Sequence, residues 1–315
     1  MDPNAKFELV PLRRGGVGIR SERYGEICHP GVGPREEAEQ VYVGALELRR
    51  RWMTEPGEFV LWDVGLGGAA NATAVIQAAA AIDCSLSIVS FDWGTEPLRF
   101  ALRHARELGY FGELECWCQI LAEQGEARFD VGRAKVRWAM VAGDFTQRMK
   151  GKPGEATGVG WGPGVELPAP HAILYDPHSP SANPEMWTLP LFEALLGRLD
   201  PNRLCGLATY SRSTAVRVAL LLAGFWVGAG AGTATKEETT VASNRREGVA
   251  VPLDGRWLER VRRSGAAEPW DRPPFEGRPL AEATWARLCA HPQFVGEPRG
   301  RSGNGALPTV GLDAL

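Results

Sequence analysis

The chain has 315 residues, of which 44% are hydrophobic and 23% are charged, and its formal net charge is −3. This composition is that of an ordinary soluble globular protein, and a chain of this length buries a core without the help of disulfides. The small negative charge does not indicate a nucleic-acid-binding protein, but it does not exclude one, because a local basic face is sufficient for that function.

Secretion, membrane insertion and metal binding are not predicted from the sequence. The amino terminus lacks a basic segment followed by an apolar one, and no apolar run reaches the roughly 18 residues of a membrane span. The six cysteines form no even framework, and Cys116 and Cys118 are too close for a zinc-binding pair and lack a second pair. We therefore expect a cytoplasmic protein with reduced thiols, no metal and no membrane contact.

Residues 1–55 form the first predicted unit, an amino-terminal cap. Residues 7–28 alternate as short strands do. Residues 36–52 place apolar side chains among charged ones, which predicts an amphipathic helix. A Pro-Gly turn at residues 56–57 separates this cap from the next unit.

Strands and helices alternate through residues 56–243, the second predicted unit. The predicted strands are residues 59–64, 85–92, 136–141, 172–176, 204–210, 225–229 and 238–242, and the predicted helices are residues 70–81, 97–108, 187–199 and 213–223. Residues 151–168, rich in Gly and Pro, are predicted to be an inserted loop. This alternation predicts an α/β fold with a mostly parallel seven-stranded sheet and helices on both faces.

Residues 244–315 form the third predicted unit, an extension rich in Arg, Gly and Pro. Short helices are predicted over residues 256–263 and 281–289. Residues 301–315 are predicted to be disordered, so the extension is expected to be only partly ordered.

The turn after the first strand of the second unit has the layout of a nucleotide-binding site, in which a strand runs into glycines and then a helix. Gly65 permits the tight turn, Gly67 and Gly68 let a ligand approach the backbone, and Asn71 completes the motif. Asp63, at the strand end, favours the positively charged amino-acid part of S-adenosylmethionine and would repel a pyrophosphate. The sequence therefore predicts a Rossmann-like class I methyltransferase with S-adenosylmethionine as its cofactor; the alternative is a purely structural turn.

Three further aspartates at strand ends complete the predicted cofactor site. Asp92 can accept hydrogen bonds from ribose hydroxyls, Asp144 lies where methyltransferases often contact adenine, and Asp176 faces the transferred methyl group. Each of them could instead cap the helix or loop that follows it.

Asp176 is also the first predicted catalytic residue. A carboxylate at this position can accept hydrogen bonds from an amine and align the lone pair of the nitrogen with the sulfonium methyl group. An ammonium must lose a proton before it attacks, so a carboxylate or a water is expected to assist.

The stretch D-P-H-S-P-S-A-N-P-E-M-W-T at residues 176–188 resembles the D-x-F-x-P-x-x-N-P-x-x-W signature of the MnmC and MnmD tRNA methyltransferases. Other segments resemble the family in the same order, and the resemblance covers roughly residues 7–243; these segments are residues 20–26, 36–43, 90–92, 209–211 and 223–237. The family methylates the aminomethyl group on the wobble uridine of tRNA. The resemblance therefore implies an N-methyltransferase with that substrate.

The resemblance implies further site residues, in which Glu26, Pro177, Asn183 and Trp187 contact the substrate. His178 is the second predicted catalytic residue and stands where the family has an aromatic residue. It is expected either to stack near the base and the amine or to pack as a plain polar side chain. Trp161 and Trp187 could stack a flipped base, although a tryptophan that begins a helix is also typical of a core.

Fused members of this family carry an FAD-dependent oxidase domain. No such domain fits after residue 243, so the resemblance implies a standalone methyltransferase whose oxidase is a separate partner. The chain departs from the family in the turn, where G-x-G-T-G-x-N is replaced by G-L-G-G-A-A-N at residues 65–71, and in the shorter carboxylate of Asp63.

Three alternatives stay open from the sequence. The chain could methylate another small amine, or it could be a catalytically degenerate member of the fold that binds tRNA or a partner. A nicotinamide oxidoreductase is the least favoured, because Asp63 is poorly placed for a pyrophosphate. Arginines of the amino-terminal unit could hold tRNA phosphates or form a solvated surface; they are Arg13, Arg14, Arg20, Arg23, Arg49, Arg50 and Arg51.

Overall fold

The computed structural model describes residues 7–12, 15–28, 33–151, 167–232 and 238–295. Several sequence predictions fall outside these ranges. They concern Arg13, Arg14, Trp161, most of the predicted loop at residues 151–168, the last part of the late-strand resemblance at residues 233–237, and the predicted disorder at residues 301–315.

Two sheets contain the strands of the described residues. The strands are Phe7–Pro11 (β1), Val17–Ser21 (β2), Glu26–Ile27 (β3), Glu58–Val64 (β4), Ser85–Asp92 (β5), Glu126–Val131 (β6), Ala134–Ala142 (β7), Ala172–Tyr175 (β8), Gly206–Thr209 (β9), Trp226–Gly230 (β10) and Thr239–Ser243 (β11). Strands β1 to β3 form a small antiparallel sheet, and the others form an eight-stranded sheet in the order β10-β11-β9-β8-β4-β5-β7-β6. The five strands from β9 to β7 are parallel, while β6, β10 and β11 join antiparallel.

The sheet confirms the predicted α/β class, but it has eight strands where seven were predicted. The additional strand, β6, is an outer strand that pairs with β7. Its residues alternate between covered and exposed positions, and charged side chains occupy the exposed ones. A short strand with so few apolar residues gives a weak sequence signal.

Helices cover both faces of this sheet. The helices are Pro34–Ala38 (α1), Leu48–Thr54 (α2), Ala70–Ala79 (α3), Glu96–Arg103 (α4), Ala105–Leu108 (α5), Glu115–Gln124 (α6), Phe145–Lys150 (α7), Leu189–Leu196 (α8), Thr214–Ala223 (α9), Gly255–Arg262 (α10) and Glu282–Cys289 (α11). Successive residues of β4 enter different clusters: Leu61 packs with α3 and α6, whereas Val60 and Trp62 pack with α8 and α9. The two sides of one buried strand therefore build two hydrophobic cores.

Strand β4 lies where the strand order reverses. From β4 the chain continues to β5 on one side of the sheet, and later from β8 to β9 on the other. In open α/β sheets, ligands bind beyond the carboxyl ends of the strands at such a point. Gly65 follows β4 and Asp176 follows β8, so the predicted cofactor turn and the predicted catalytic loop face each other.

The helix predicted over residues 36–52 is interrupted. A π-helical segment, Glu39–Gly44, lies between α1 and α2, and Glu47 adopts the left-handed conformation with φ of 51° just before α2. Such a segment inserts an extra residue into the helical turn and rotates the side chains that follow. Helix α2, which follows this interruption, carries Arg51.

Arg51 is a buried structural residue. Its side chain is 4% exposed and binds Glu55 through Nε at 2.6 Å. It also donates to the carbonyl oxygens of His171 at 2.9 Å and Leu204 at 3.2 Å. The proposed phosphate contact of Arg51 is therefore wrong, since its donors are already used to fix α2 against the ends of β8 and β9.

We expect Arg51→Ala to lower the free energy of unfolding by about 3 kcal/mol, because the substitution leaves two carbonyls and a carboxylate without their buried donor. Arg49→Ala is the matched control. Arg49 is 48% exposed and pairs with Glu39, so its removal should cost less than about 1 kcal/mol. Urea unfolding followed by circular dichroism measures both; equal losses for the two variants would contradict the assignment.

The segment after β11 packs onto the main core. Trp257 and Leu258 of α10, Leu288 of α11 and Phe294 join the hydrophobic cluster that contains α8 and α9. Gln293 bonds both backbone groups of Val227 at 2.9 and 2.8 Å, which ties the segment to β10. Within the part of the chain described, no helix is long and apolar enough to span a membrane.

Candidate active site

A cavity of about 950 Å³ opens at the carboxyl ends of β4, β5 and β8. Its floor consists of the turns that follow these strands and β7. Its opposite wall is the hairpin of β2 and β3, with residues 17–21 and 23–28 lining the space. The small amino-terminal sheet thus covers the site that the large sheet creates.

Gly65 allows the turn after β4 to touch the loop after β8. Its φ is +95°, and a Cβ atom on it would lie 2.5 Å from the carbonyl oxygen of Asp176. The amides of Gly65 and Leu66 both bond the carbonyl oxygen of Phe91, at 2.9 and 3.1 Å. Only glycine fits this combination of backbone angle and close approach.

Asp92 and Gly67 lie together on the floor of the cavity. Oδ2 of Asp92 accepts the Gly67 amide at 2.8 Å, and Oδ1 accepts the Trp93 amide at 2.7 Å. Burial raises the pKa of the Asp92 carboxyl, and these two amides oppose that shift. Each oxygen keeps a second acceptor site, so the predicted pairing with ribose hydroxyls remains geometrically available.

Asp63 does not reach the cavity. Its side chain is 1% exposed, it is absent from the lining, and Oδ2 accepts the Ser90 hydroxyl at 2.7 Å. Ser90 in turn accepts Trp138 Nε1 at 2.9 Å. Burial raises the pKa of Asp63 to about 8, with Asp176 and Asp92 adding to the shift. The predicted contact of Asp63 with the cofactor's amino-acid part is therefore corrected: the carboxyl is buried beside β5, where it bonds Ser90.

Asn71 contacts Asp176 and does not line the cavity. Its Nδ2 donates to Oδ2 of Asp176 at 2.5 Å, and its side chain is 4% exposed as part of α3. The predicted cofactor contact of Asn71 is therefore replaced by a positioning contact, because the amide fixes the orientation of the carboxylate. Asp176 itself lines the cavity, as predicted for a residue that meets substrate.

Asp144 combines the two roles that the sequence left open. It is the N-cap of α7, where Oδ1 accepts the amides of Thr146 at 2.8 Å and Gln147 at 3.4 Å. It also lines the cavity next to Gly143 and Phe145. The cap fixes the side chain at the end of β7 and leaves Oδ2 for a ligand.

Glu26 holds the loop after β8 from the opposite wall. Oε2 accepts the Ser179 amide at 2.9 Å, and Oε1 accepts the Ser179 hydroxyl. The same Oε2 lies 3.4 Å from Nδ1 of His178, whose ring stacks on Tyr24 with centroids 3.9 Å apart. Glu26 and His178 both line the cavity.

The remaining predicted substrate residues divide into two groups. Pro177 and Asn183 line the cavity, and the carbonyl of Pro177 accepts the Tyr210 hydroxyl at 2.9 Å. Trp187 is 1% exposed and does not line it; Nε1 instead donates to the His178 carbonyl at 2.9 Å. The predicted substrate contact of Trp187 is corrected to support of the catalytic loop from the core.

Sequence reasoning missed an aromatic group at the cavity rim. The guanidinium of Arg23 lies between Tyr24, 5.3 Å from the ring centroid, and Trp93, at 5.8 Å. Trp93 is 44% exposed. The position of Trp93 in the sequence could have indicated its place at the rim, because it directly follows Asp92, the predicted ribose ligand.

The departure of the turn from the family pattern has a local cause. The hydroxyl of Tyr110 donates to the Gly68 carbonyl at 2.7 Å, and a Cβ atom at position 68 would lie 2.6 Å from that hydroxyl. The threonine of the family pattern therefore does not fit beside Tyr110. The next position, Ala69, takes φ of 65°, a conformation that glycine adopts without strain.

We expect Gly68→Ala to destabilise the fold by about 1–3 kcal/mol, because the new methyl group displaces the Tyr110 hydroxyl. Adding Tyr110→Phe should recover part of the loss, with a coupling energy above about 0.5 kcal/mol in a double-mutant cycle. Gly265→Ala, where nothing lies within 4 Å, is the control. Additive effects of the two substitutions in urea unfolding would refute the proposed clash.

The cavity is strongly acidic. Among the residues that the structure describes, seven carboxylate side chains line it, against two arginines. The carboxylates are those of Glu26, Glu37, Asp92, Glu96, Asp144, Asp176 and Glu185, and the arginines are Arg20 and Arg23. Such a field attracts cationic ligands and repels phosphates.

Three features together define a Rossmann-like class I methyltransferase fold. They are the glycine-rich turn at residues 65–68, the cavity at the point where the strand order reverses, and the aspartates at the ends of the strands. A family model described as S-adenosyl-L-methionine-dependent methyltransferase matches residues 117–245. The crystal structure of MNMC2 from Aquifex aeolicus has a TM-score of 0.63 to this chain at 21% identity, covering 91% of this chain and 85% of that one. The predicted fold class is confirmed.

Two curated proteins are similar in sequence to this chain. The tRNA 5-methylaminomethyl-2-thiouridine biosynthesis bifunctional protein MnmC of Methylibium petroleiphilum is 30% identical over 251 residues, which are 77% of this chain and 35% of that protein. The protein of the same name from Pseudomonas syringae pv. tomato is 26% identical over 290 residues, 88% of this chain and 40% of that protein. The chain thus spans between a third and two fifths of these relatives. The predicted resemblance to the MnmC methyltransferases is confirmed.

Proposed function

We propose that the chain is an S-adenosylmethionine-dependent N-methyltransferase that acts on the aminomethyl group of tRNA wobble uridine. The observation that carries the proposal is the position of Asp176, which lines an acidic cavity and whose backbone carbonyl touches the turn at Gly65. The names of the MnmC relatives, which refer to tRNA 5-methylaminomethyl-2-thiouridine biosynthesis, suggest the substrate.

The residues of the cavity fit S-adenosylmethionine. The excess of carboxylates suits its sulfonium and ammonium groups and disfavours the pyrophosphate of a nicotinamide cofactor. Asp92 would hold the ribose, the backbone of residues 65–68 would lie along the cofactor, and Asp144 would border the adenine. When bound, the cofactor supplies an electrophilic methyl group.

The protein's contribution is mainly positioning. Asp176 accepts hydrogen bonds from the substrate amine, and Asn71 keeps that carboxylate in one orientation. Glu26 and Trp187 hold the loop that carries Asp176 from both sides, through Ser179 and the His178 carbonyl. Alignment of this kind uses binding energy to hold the amine nitrogen and the methyl group in a geometry suited to reaction.

Two experiments test the proposal. Calorimetry measures S-adenosylmethionine binding, and its absence would leave only a degenerate, non-catalytic member of the fold. The purified protein is then incubated with cofactor and tRNA that carries 5-aminomethyl-2-thiouridine, and the nucleosides are analysed by mass spectrometry. We expect one added methyl group at the wobble position and none in tRNA without the aminomethyl group.

A free small amine, methylated as fast as the tRNA, would favour the alternative substrate class. We also propose that an oxidase of the kind fused in the family acts as a separate partner that supplies the aminomethyl substrate. The bifunctional names of the relatives support this step. Co-purification with such an oxidase, or its absence, tests the partnership.

A further inference from the structure

His178 stands in the cavity in a setting made by three parts of the fold. The loop after β8 carries it, the hairpin of β2 and β3 supplies Glu26 beside Nδ1 at 3.4 Å, and Tyr24 covers one ring face at 3.9 Å. Trp187 fixes the backbone of the same residue through its carbonyl. These contacts therefore fix the imidazole at Nδ1, at one face of the ring and through the backbone of His178.

Methylation of an aminomethyl group requires a proton acceptor. At neutral pH the free amine is an ammonium, which has no lone pair for attack. Asp176 is suited to hold this cation, because its carboxylate is anchored by Asn71 and the residue lines the cavity. In this chain His178 offers a second proton acceptor where the family pattern has an aromatic residue, and a general base must be unprotonated at the working pH.

Resting on the proposed function, we propose that Nε2 of His178 takes the proton of the substrate ammonium, with Glu26 as the positioning residue at Nδ1. A carboxylate beside Nδ1 favours the tautomer with the proton on that nitrogen, which leaves Nε2 as the acceptor. The freed nitrogen lone pair forms the N–C bond, the S–C bond breaks, and the sulfur keeps its electron pair. The proton remains on the imidazole and then leaves to solvent.

The charged neighbours of His178 agree with this role. Burial is the largest influence and lowers the pKa of the imidazole, and Arg23 acts in the same direction. Glu26 and Asp176 oppose it by stabilising the imidazolium. The net lowering keeps the ring neutral at pH 7, while the two carboxylates stabilise the charge that forms when the proton arrives.

The role of His178 is tested by measuring methyl transfer to the aminomethyl tRNA as a function of pH in single-turnover reactions. His178→Phe, which introduces the aromatic residue of the family pattern, should reduce the rate at pH 7 by about 10²-fold or more and move the profile to higher pH, where the amine deprotonates without help. Glu26→Gln should shift the acidic limb to lower pH, because a base-raising carboxylate is lost. Cofactor affinity, measured by calorimetry, should stay unchanged in His178→Phe.

His104→Phe is the matched control. His104 also places Nδ1 near a glutamate, 3.5 Å from Glu107, but it lies outside the cavity lining. We expect the wild-type profile from this variant. His178→Gln provides a second, polar replacement, and its profile should follow that of His178→Phe.

The outcomes separate the two proposals. Wild-type protein that leaves aminomethyl tRNA unmethylated overturns the proposed function and, with it, this role of His178. Wild-type activity combined with an unchanged profile in folded His178→Phe or His178→Gln overturns the role of His178 alone. Nitrogen-15 spectra of the His178 ring add a readout that needs no turnover: a proton found on Nε2 in the neutral ring would contradict the proposed tautomer.

Discussion

Replacing Asp176 with alanine is expected to reduce methyl transfer by about 10³-fold, because the proposed reaction loses the group that would hold and orient the amine. Cofactor affinity should stay within a few-fold of wild type, since the glycine turn and Asp92 are unaffected. The loop itself should keep its place, because Ser179 and the His178 carbonyl hold it from both sides.

Asp176→Asn separates charge from shape. The amide still offers an oxygen to Asn71 but carries no charge to hold an ammonium. We therefore expect Asp176→Asn to reduce the rate of methyl transfer, but by less than Asp176→Ala. Asp130→Ala, on the exposed side of β6 and away from the cavity, is the control. Rapid-quench measurement of a single turnover reports the effect on methyl transfer, and calorimetry reports the effect on cofactor binding. Full activity of Asp176→Ala would remove Asp176 from the mechanism.

The second large effect concerns stability and pH, through Asp63. Burial raises its pKa to about 8 in the folded protein, whereas the ordinary value is 3.8. Well below pH 3.8 both states carry the proton, and the group then has no effect on stability through its ionisation. As pH rises, the unfolded chain releases its proton first, so the folded state loses relative stability up to about pH 8 and then no further.

Asp63→Asn should therefore stabilise the protein at alkaline pH, by about 5 kcal/mol relative to its effect at pH 4. The asparagine oxygen can still accept the Ser90 hydroxyl, and no charge has to be buried. Guanidinium unfolding of both proteins between pH 4 and 9 gives the difference curve. Asp83→Asn, at a side chain that is 80% exposed, is the control and should give a flat curve. A flat curve for Asp63→Asn would show that its ionisation is not coupled to folding.

Much of the fold follows from local sequence. Apolar runs that end in turn residues gave β4, β5, β8 and β9, because strands buried on both faces need continuous apolar side chains. The strand β6 and the helix α6 were missed, since both mix charged and apolar residues over short lengths. The interruption by the π-helical segment was also missed, as it depends on how α2 docks against the sheet.

The site could be predicted as a set of loops but not as a set of contacts. Asp92, Asp176 and Glu26 line the cavity because strand ends and motif positions fix them. Asp63, Asn71 and Trp187 belong to the same motifs but point behind the cavity. A motif records which residues a site needs and does not distinguish a side chain that meets the ligand from one that supports its neighbour.

The acidic lining has a consequence for turnover. S-adenosylmethionine, the proposed cofactor, carries a sulfonium charge that S-adenosylhomocysteine lacks. The described lining of seven carboxylates against two arginines would therefore hold the demethylated cofactor less strongly than the methylated one. Transfer of the methyl group thus removes the sulfonium charge that the carboxylates attract. We expect by-product inhibition to be weak and to strengthen with added salt relative to cofactor binding, as screening removes the difference between the two.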